Sequence, residues 1–254
     1  GRGGAPAAQD TALPPQPRWP APRERAEPYP IDPGESPAAK SAVTVSWLVG
    51  EAADPVAVLA WTLLDRLLLG DAAAPLRRAL IDSGLGEDLT EAGFSAGTRE
   101  SSFHVGLRGT EPERREAVLK VIFDTLEACA RDGFRADRVE AAFRRAEYSQ
   151  REIGDQFPLR LAGMVYDSWM YDWDPLLWLR VADHLAALRQ RLAAEPDFFS
   201  RLIRDGLLRN PHRLTALFTP DRQLQAARDA AFAEAMARRK AALGSDEVAA
   251  VARE

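Results

Sequence analysis

The sequence predicts an α+β domain: a mixed or antiparallel sheet covered on one face by a layer of helices, with a C-terminal exit helix. Three observations carry this expectation. Apolar residues alternate with period two near the start, in the middle and near the end of the chain. Helical periodicity fills residues 111–206 between the last two of these runs. The alternating strand–helix units of a Rossmann fold or barrel are missing, and clustered helices point to layering on one sheet face.

Residues 1–40 hold 10 of the 18 prolines. An interior helical proline costs about 3 kcal/mol, so this stretch is expected to be an extended linker. Trp19 and Tyr29 stand out in it as anchors onto a neighbouring surface. From Ser41 the pattern changes. "AVTVSWLVG" places Val43, Val45, Trp47 and Val49 on one face of a strand, and Asp54–Pro55 then reads as an N-cap and first helical residue. The helix that follows is apolar nearly all round and stops at Gly70, while a second runs from Pro75 to the glycines 84 and 86.

Residues 89–99 form a weak strand, and "SSFHVGLRG" a stronger one with Phe103, Val105 and Leu107 on one side and Ser102, His104 and Gly106 on the other. Together they are expected to make a hairpin or neighbouring strand pair at the middle of the sheet. Val118, Ile122, Leu126 and Cys129 mark a helix capped by Gly133; Val139, Ala142, Phe143 and Ala146 mark the next. "PLRLAGMVYDSWMYDWDP" and the stripe Val181, Leu185, Leu188 and Leu192 add two more, followed by a short helix in "DFFSRLIRDGLL". "HRLTALFTP" is a strand with Leu214, Ala216 and Phe218 on one side, and the Ala/Arg-rich helix after Asp221 is too polar to bury. The expected division is a Pro-rich linker over 1–40, an α+β domain over 41–220, and an exit helix within 221–254.

Composition narrows function by exclusion. A net charge of −5 gives no field that favours nucleic acid. No apolar run reaches the roughly 18–20 residues a bilayer span requires. Neither nucleic acid nor membrane is expected as a partner, and a soluble, cytoplasmic protein is the expectation. The single cysteine, Cys129, lies on an apolar helix face and reads as a buried, inert thiol.

Chemistry-bearing motifs are few. None of His104, His184 and His212 has a second histidine three to five residues away, so no metal-ligand spacing occurs. His104 is expected to be hydrogen-bonded beneath a covering helix, and His212 to tie down a turn set by Asn210 and Pro211. "SGLGEDLTEAG" lacks the Lys-Ser/Thr of a phosphate loop, and there is no Gly-x-Ser-x-Gly elbow. "DSWMYDWDPLLW" gathers four aromatics and three aspartates. One reading is an aromatic peptide-binding wall with acids at its rim. The other, which the capping pattern favours, is two helix ends packing, with Asp174 and Pro175 starting the second helix. No catalytic, cofactor-binding or metal-binding residue is assigned.

Four pieces, "LLLGDAAAPLRRALIDSGLGEDL", "FHVGLRGTEPE", "EAAFRRAEYSQRE" and "LLRNPHRLTALFTPD", occur in an order that resembles the second domain of presequence-protease-like members of the insulinase/pitrilysin family of zinc metallopeptidases. The likeness covers residues 29–243. It implies four similar α+β domains forming two half-shells that close on unfolded peptides. The first of these domains carries His-x-x-Glu-His and a downstream glutamate as the zinc site. That motif is absent from this chain, so no catalytic role transfers to any residue here. By resemblance, the chain is a non-catalytic chamber domain, with zinc present only in the full-length enzyme. Its partners are then the catalytic first domain and the C-terminal half of the same polypeptide, with unfolded peptides as substrates. Residues 221–254 match the start of a helical hinge between the halves. Two alternatives remain: a naturally short non-catalytic partner subunit, and a self-standing peptide-binding module.

Overall fold

A computed structural model describes residues 14–151 and 156–244. The readings of the first residues, of the end of the fourth helical stretch, and of the hinge beyond residue 244 lie outside the described residues.

The sheet grows from two long strands, β2 (Ser41–Glu51) and β5 (Glu100–Thr110), which pair antiparallel. Their alternation sorts side chains cleanly. Val43, Val45, Trp47, Phe103, Val105 and Leu107 are all buried on the face toward the helices. β6 (Arg213–Asp221) adds antiparallel to β2 on its other side. β1 (Arg23–Pro30) lies outside β6 and runs parallel to it, giving the order β1-β6-β2-β5-β3. The segment expected to be a linker is therefore extended, but its backbone is an edge strand. Prolines at Pro28 and Pro30 are tolerated because an edge leaves half of the backbone groups unpaired.

Two strand expectations change. Residues 89–99 split into β3 (Asp88–Leu89) and β4 (Gly93–Ser95), each antiparallel to β5. Gly93 adopts φ +121, which interrupts a continuous strand. β5 is thus next to the edge, and β2 holds the centre. On β6, Leu214, Ala216 and Phe218 share one side, as expected; they pair with Ser46, Thr44 and Ala42, so that side is the face away from the helices. The core side of β6 carries Arg213, Thr215 and Leu217; the Arg213 guanidinium lies 4.7 Å from the Phe123 ring centroid and covers it.

Helix α1 (Pro55–Leu69) starts where Asp54 accepts from the amides of Val56 and Ala57, and nine of its residues are buried. α2 (Pro75–Asp82) follows, ended by Gly84 at φ +64. α3 (Arg115–Asp132) buries Val118, Ile122, Leu126 and Cys129 and stops at Gly133, φ +70. α4 (Ala136–Arg151) buries Phe143 and Ala146. α5 (Phe157–Trp169) leads through a turn into a short 3-10 segment at Leu177–Leu179.

α6 (Val181–Ala194) starts later than the Asp174–Pro175 pair suggests. Asp174 caps only a local turn, accepting from Leu176 N at 3.0 Å, and pairs with Arg180 at 3.1 Å. α7 (Phe198–Ile203) passes directly into a π-helical turn, Arg204–Leu208. Gly206 lies there because a Cβ would overlap the Trp61 ring. α8 (Leu224–Ala242) buries no residue and leaves the domain as the expected polar exit helix.

One half-buried acid sits between the layers. Asp65 of α1 accepts a hydrogen bond from Phe94 N of β4, and burial pushes its carboxyl up to about 6. A raised carboxyl pKa means that the folded state binds the proton more tightly. Stability from Asp65 therefore rises as pH falls from about 6 toward the unfolded value near 4. Asp65→Asn is expected to raise Tm near pH 8, with the gain shrinking at about pH 4, as read by scanning calorimetry at both values.

Candidate functional site

The three histidines occupy three separate places, and each ring is already engaged. His104 lies on the open face of the sheet, not beneath a helix. Its Nδ1 is 2.8 Å from Ser46 Oγ on β2, and its Nε2 is 2.7 Å from Ser102 Oγ on its own strand. Burial holds its pKa below the ordinary imidazole value. Both ring nitrogens end on hydroxyls, so neither is hydrogen-bonded to a carboxylate as in a Ser-His-Asp triad, and the charge of Glu91 offsets the effect of burial only in part. His184 on α6 donates from Nε2 to the Leu177 carbonyl at 2.8 Å and pins the 3-10 turn.

His212 does more. Asn210 Oδ1 accepts from its backbone amide at 2.9 Å, which fixes the turn before β6 as the sequence suggested. The buried imidazole accepts from Trp19 N through Nδ1 at 3.1 Å, and the two rings stack at 4.2 Å and 13°. The Arg23 guanidinium covers the other side of Trp19 at 4.3 Å. One step earlier in the chain, Arg18 pairs with Glu100 at 2.6 Å and Gln16 N donates to the same carboxylate at 2.7 Å. Trp19 is an anchor, as expected, and the surface that it anchors to belongs to this domain.

Nδ1 can accept only while unprotonated. Burial, with Arg18 and Arg23 nearby, lowers the His212 pKa against the opposing pull of Glu100. A depressed histidine pKa favours the neutral folded form. Its contribution is complete above the usual imidazole value and is lost as pH falls through the lowered one. Amide exchange at Trp19, corrected for its intrinsic pH dependence, is expected to speed up between about pH 7 and about pH 5. His212→Phe should keep the stack and remove that pH dependence.

Cys129 is buried, and desolvation raises its thiol to about 11, so it is inert at neutral pH. Among the described residues, no group of three or more His, Cys, Asp or Glu side chains is placed to hold a metal ion. No helix among them is long and apolar enough to cross a membrane.

The Trp-rich segment divides in two. Ser168 is buried and its carbonyl accepts from Tyr171 N and Trp173 N, which folds the turn back on α5. Asp172 takes φ +59 to make that turn. Tyr171 and Trp173 pack on each other at 5.1 Å and are partly buried. Trp169 and Tyr166 instead face solvent, 65% and 62% exposed, and meet edge to face at 6.4 Å. The helix-end reading describes the first pair, and the second pair is surface. Sequence reasoning did not separate them, because the turn that does so depends on an aspartate in left-handed conformation.

The model of the peptidase M16 inactive domain matches residues 5–145. Presequence protease 1, chloroplastic/mitochondrial, of Arabidopsis thaliana is 36% identical over 220 residues, covering 84% of this chain and 20% of that protein. The mitochondrial presequence protease of Xenopus tropicalis is 32% identical, covering 84% and 21%. The chain therefore spans about one fifth of the length of these curated relatives. Among solved structures, a peptidase M16 inactive domain from Pseudomonas fluorescens superposes with a TM-score of 0.59 at 16% identity, over 85% of this chain and 47% of that one. An inactive peptidase domain from Bordetella parapertussis does so with a TM-score of 0.57 at 16% identity, over 72% and 91%. These two likenesses are of fold. A sheet with helices on one face, histidines spent on structural contacts and a family match over more than half its length agree: this chain belongs to the peptidase M16 family, as a non-catalytic domain of the inactive type.

Proposed function

We propose that the chain forms part of the chamber wall of a longer, zinc-dependent peptidase acting on unfolded peptides, whose metal centre is supplied by another stretch of the same polypeptide. One observation supports this most directly. His104, His184 and His212 are each held by a different local partner, on the sheet face, at a 3-10 turn and at the start of β6. The described residues do not fit a zinc site, which needs three or four converging ligands. The partners in this reading are a catalytic first domain and the C-terminal half. The sheet from β1 to β6 with its helices forms the body of the wall, the residues before β1 lead in from the preceding domain, and residues 221–254 begin a hinge.

Zinc titration of the chain by calorimetry at neutral pH tests the reading. No stoichiometric, tight binding is expected, and unstructured peptides should survive incubation with the chain and zinc. Tight one-to-one binding accompanied by peptide cleavage would place a metal centre in this chain and defeat the proposal. A second reading, a self-standing peptide-binding module, is favoured by the solvent-facing aromatics of α5.

A further inference from the structure

The end of α1 and the first half of α4 enclose a recess of about 140 Å³ on the helical layer. Gly70, Ala141 and Ala142 leave it open, since none carries a side chain longer than a methyl group. Three arginines line it: Arg66 in the last turn of α1, and Arg138 and Arg145 of α4. Arg138 and Arg145 lie two turns apart on one helix face, about 10.5 Å along the axis at 1.5 Å per residue. One carboxylate, Asp71, shares the wall and is already committed. Its Oδ1 accepts from the Arg138 guanidinium at 3.2 Å and from Ala73 N at 2.9 Å, and Arg138 holds its carboxyl below the usual carboxylate range. Arg66 and Arg145 have no ion pair or side-chain hydrogen bond among the described residues; Arg66 acts on the charge of Asp65 only through space. Three arginines against one aspartate leave the recess with a charge of +2.

The negative end of the α1 dipole accounts for Arg66 but not for three arginines around one concave wall. Neighbouring arginines of α3 and α4 are paired, Arg131 with Asp132 and Arg144 with Glu140. Unpaired guanidiniums that share a recess repel one another, and a bound anion relieves that cost. The guanidinium fork suits carboxylate and phosphate alike. A single carboxylate satisfies one fork, whereas forks on two helices need an anion with oxygens pointing several ways. The separation of Arg138 and Arg145 suits two linked phosphoryl groups better than one. We infer that the α1–α4 recess binds a diphosphate group, with Arg66 and Arg145 as its free ligands and Arg138 oriented by Asp71. The lining carries no aromatic ring on which a base could stack, so a nucleoside attached to the diphosphate adds little. The recess involves neither zinc nor peptide, so its titration is independent of the chamber-wall reading.

Isothermal titration calorimetry of the chain at low, constant ionic strength tests this with inorganic pyrophosphate, ADP and acetate as probes. Pyrophosphate is expected to bind one to one and at least about tenfold tighter than acetate, with ADP within about threefold of pyrophosphate. Arg66→Gln and Arg145→Gln should each weaken pyrophosphate about fivefold or more. Arg144→Gln removes an adjacent, exposed charge that is already paired with Glu140, and should change the affinity less than about twofold. Circular dichroism matching the parent's separates loss of ligand from loss of fold, and the exposed Arg145 keeps the test decisive if Arg66→Gln perturbs α1. Absence of saturable pyrophosphate binding, or acetate binding as tightly, overturns the proposal. Equal losses from Arg144→Gln and Arg145→Gln also overturn it, because they reduce the effect to net charge. So does ADP binding without pyrophosphate binding.

Discussion

Trp47→Ala is expected to lower the free energy of unfolding by about 3–5 kcal/mol, the largest loss from any single truncation considered for this chain. Trp47 is 1% exposed at the centre of β2, with Phe103 and Phe123 around it, each with ring centroids 6.2 Å away. Its indole Nε1 also donates to the Leu207 carbonyl at 2.9 Å, tying the central strand to the π-helical turn after α7. Alanine leaves a cavity and an unsatisfied carbonyl together, and both penalties fall inside the core. Trp47→Phe keeps most of the volume and loses only the donor, so about 1–2 kcal/mol should go. Urea unfolding followed by circular dichroism measures both. Equal losses for the two variants would mean that volume is not what Trp47 contributes.

Gly106→Ala is the second large effect, expected at about 2–3 kcal/mol. At this position β5 runs so close to β2 that a Cβ would overlap the Val43 carbonyl oxygen and approach the Thr44 backbone and methyl group. A flexible side chain can swing aside; a ladder carbonyl cannot. Pairing Gly106→Ala with Thr44→Gly removes the methyl and leaves the carbonyl, so stability should recover little. Full recovery in the double variant would locate the crowding in Thr44 rather than in the backbone.

Much of this fold is legible in the sequence wherever burial is one-sided. β2 and β5 alternate apolar and polar residues because one face meets helices, and α1 is apolar nearly all round because it is the helix most enclosed. β1 is not legible, since "RERAEPYP" gives a solvated edge strand no apolar face and its prolines imitate a linker. On β6 the sequence shows which residues share a side but not which side meets the helices. Arg213 lies on the helix side with its guanidinium over Phe123, while Leu214, Ala216 and Phe218 occupy the open side. The contact between Trp19 and His212 joins residues far apart in the chain, and no local pattern foretells it. The aromatic cluster after α5 was visible as composition, but which of its rings would face water was decided by the Asp172 turn.

The parallel pairing of β1 with β6 has a mechanical consequence. The chain enters beside Leu214 and leaves beyond Asp221, so its way in and its way out lie at opposite ends of two strands running side by side. Traction applied between the preceding segment and α8 loads the backbone ladder from Arg23 to Pro30 in shear, all rungs at once, instead of peeling them singly. The α8 arm, about 28 Å long at 1.5 Å per residue, then acts as a stiff lever whose fulcrum does not unzip.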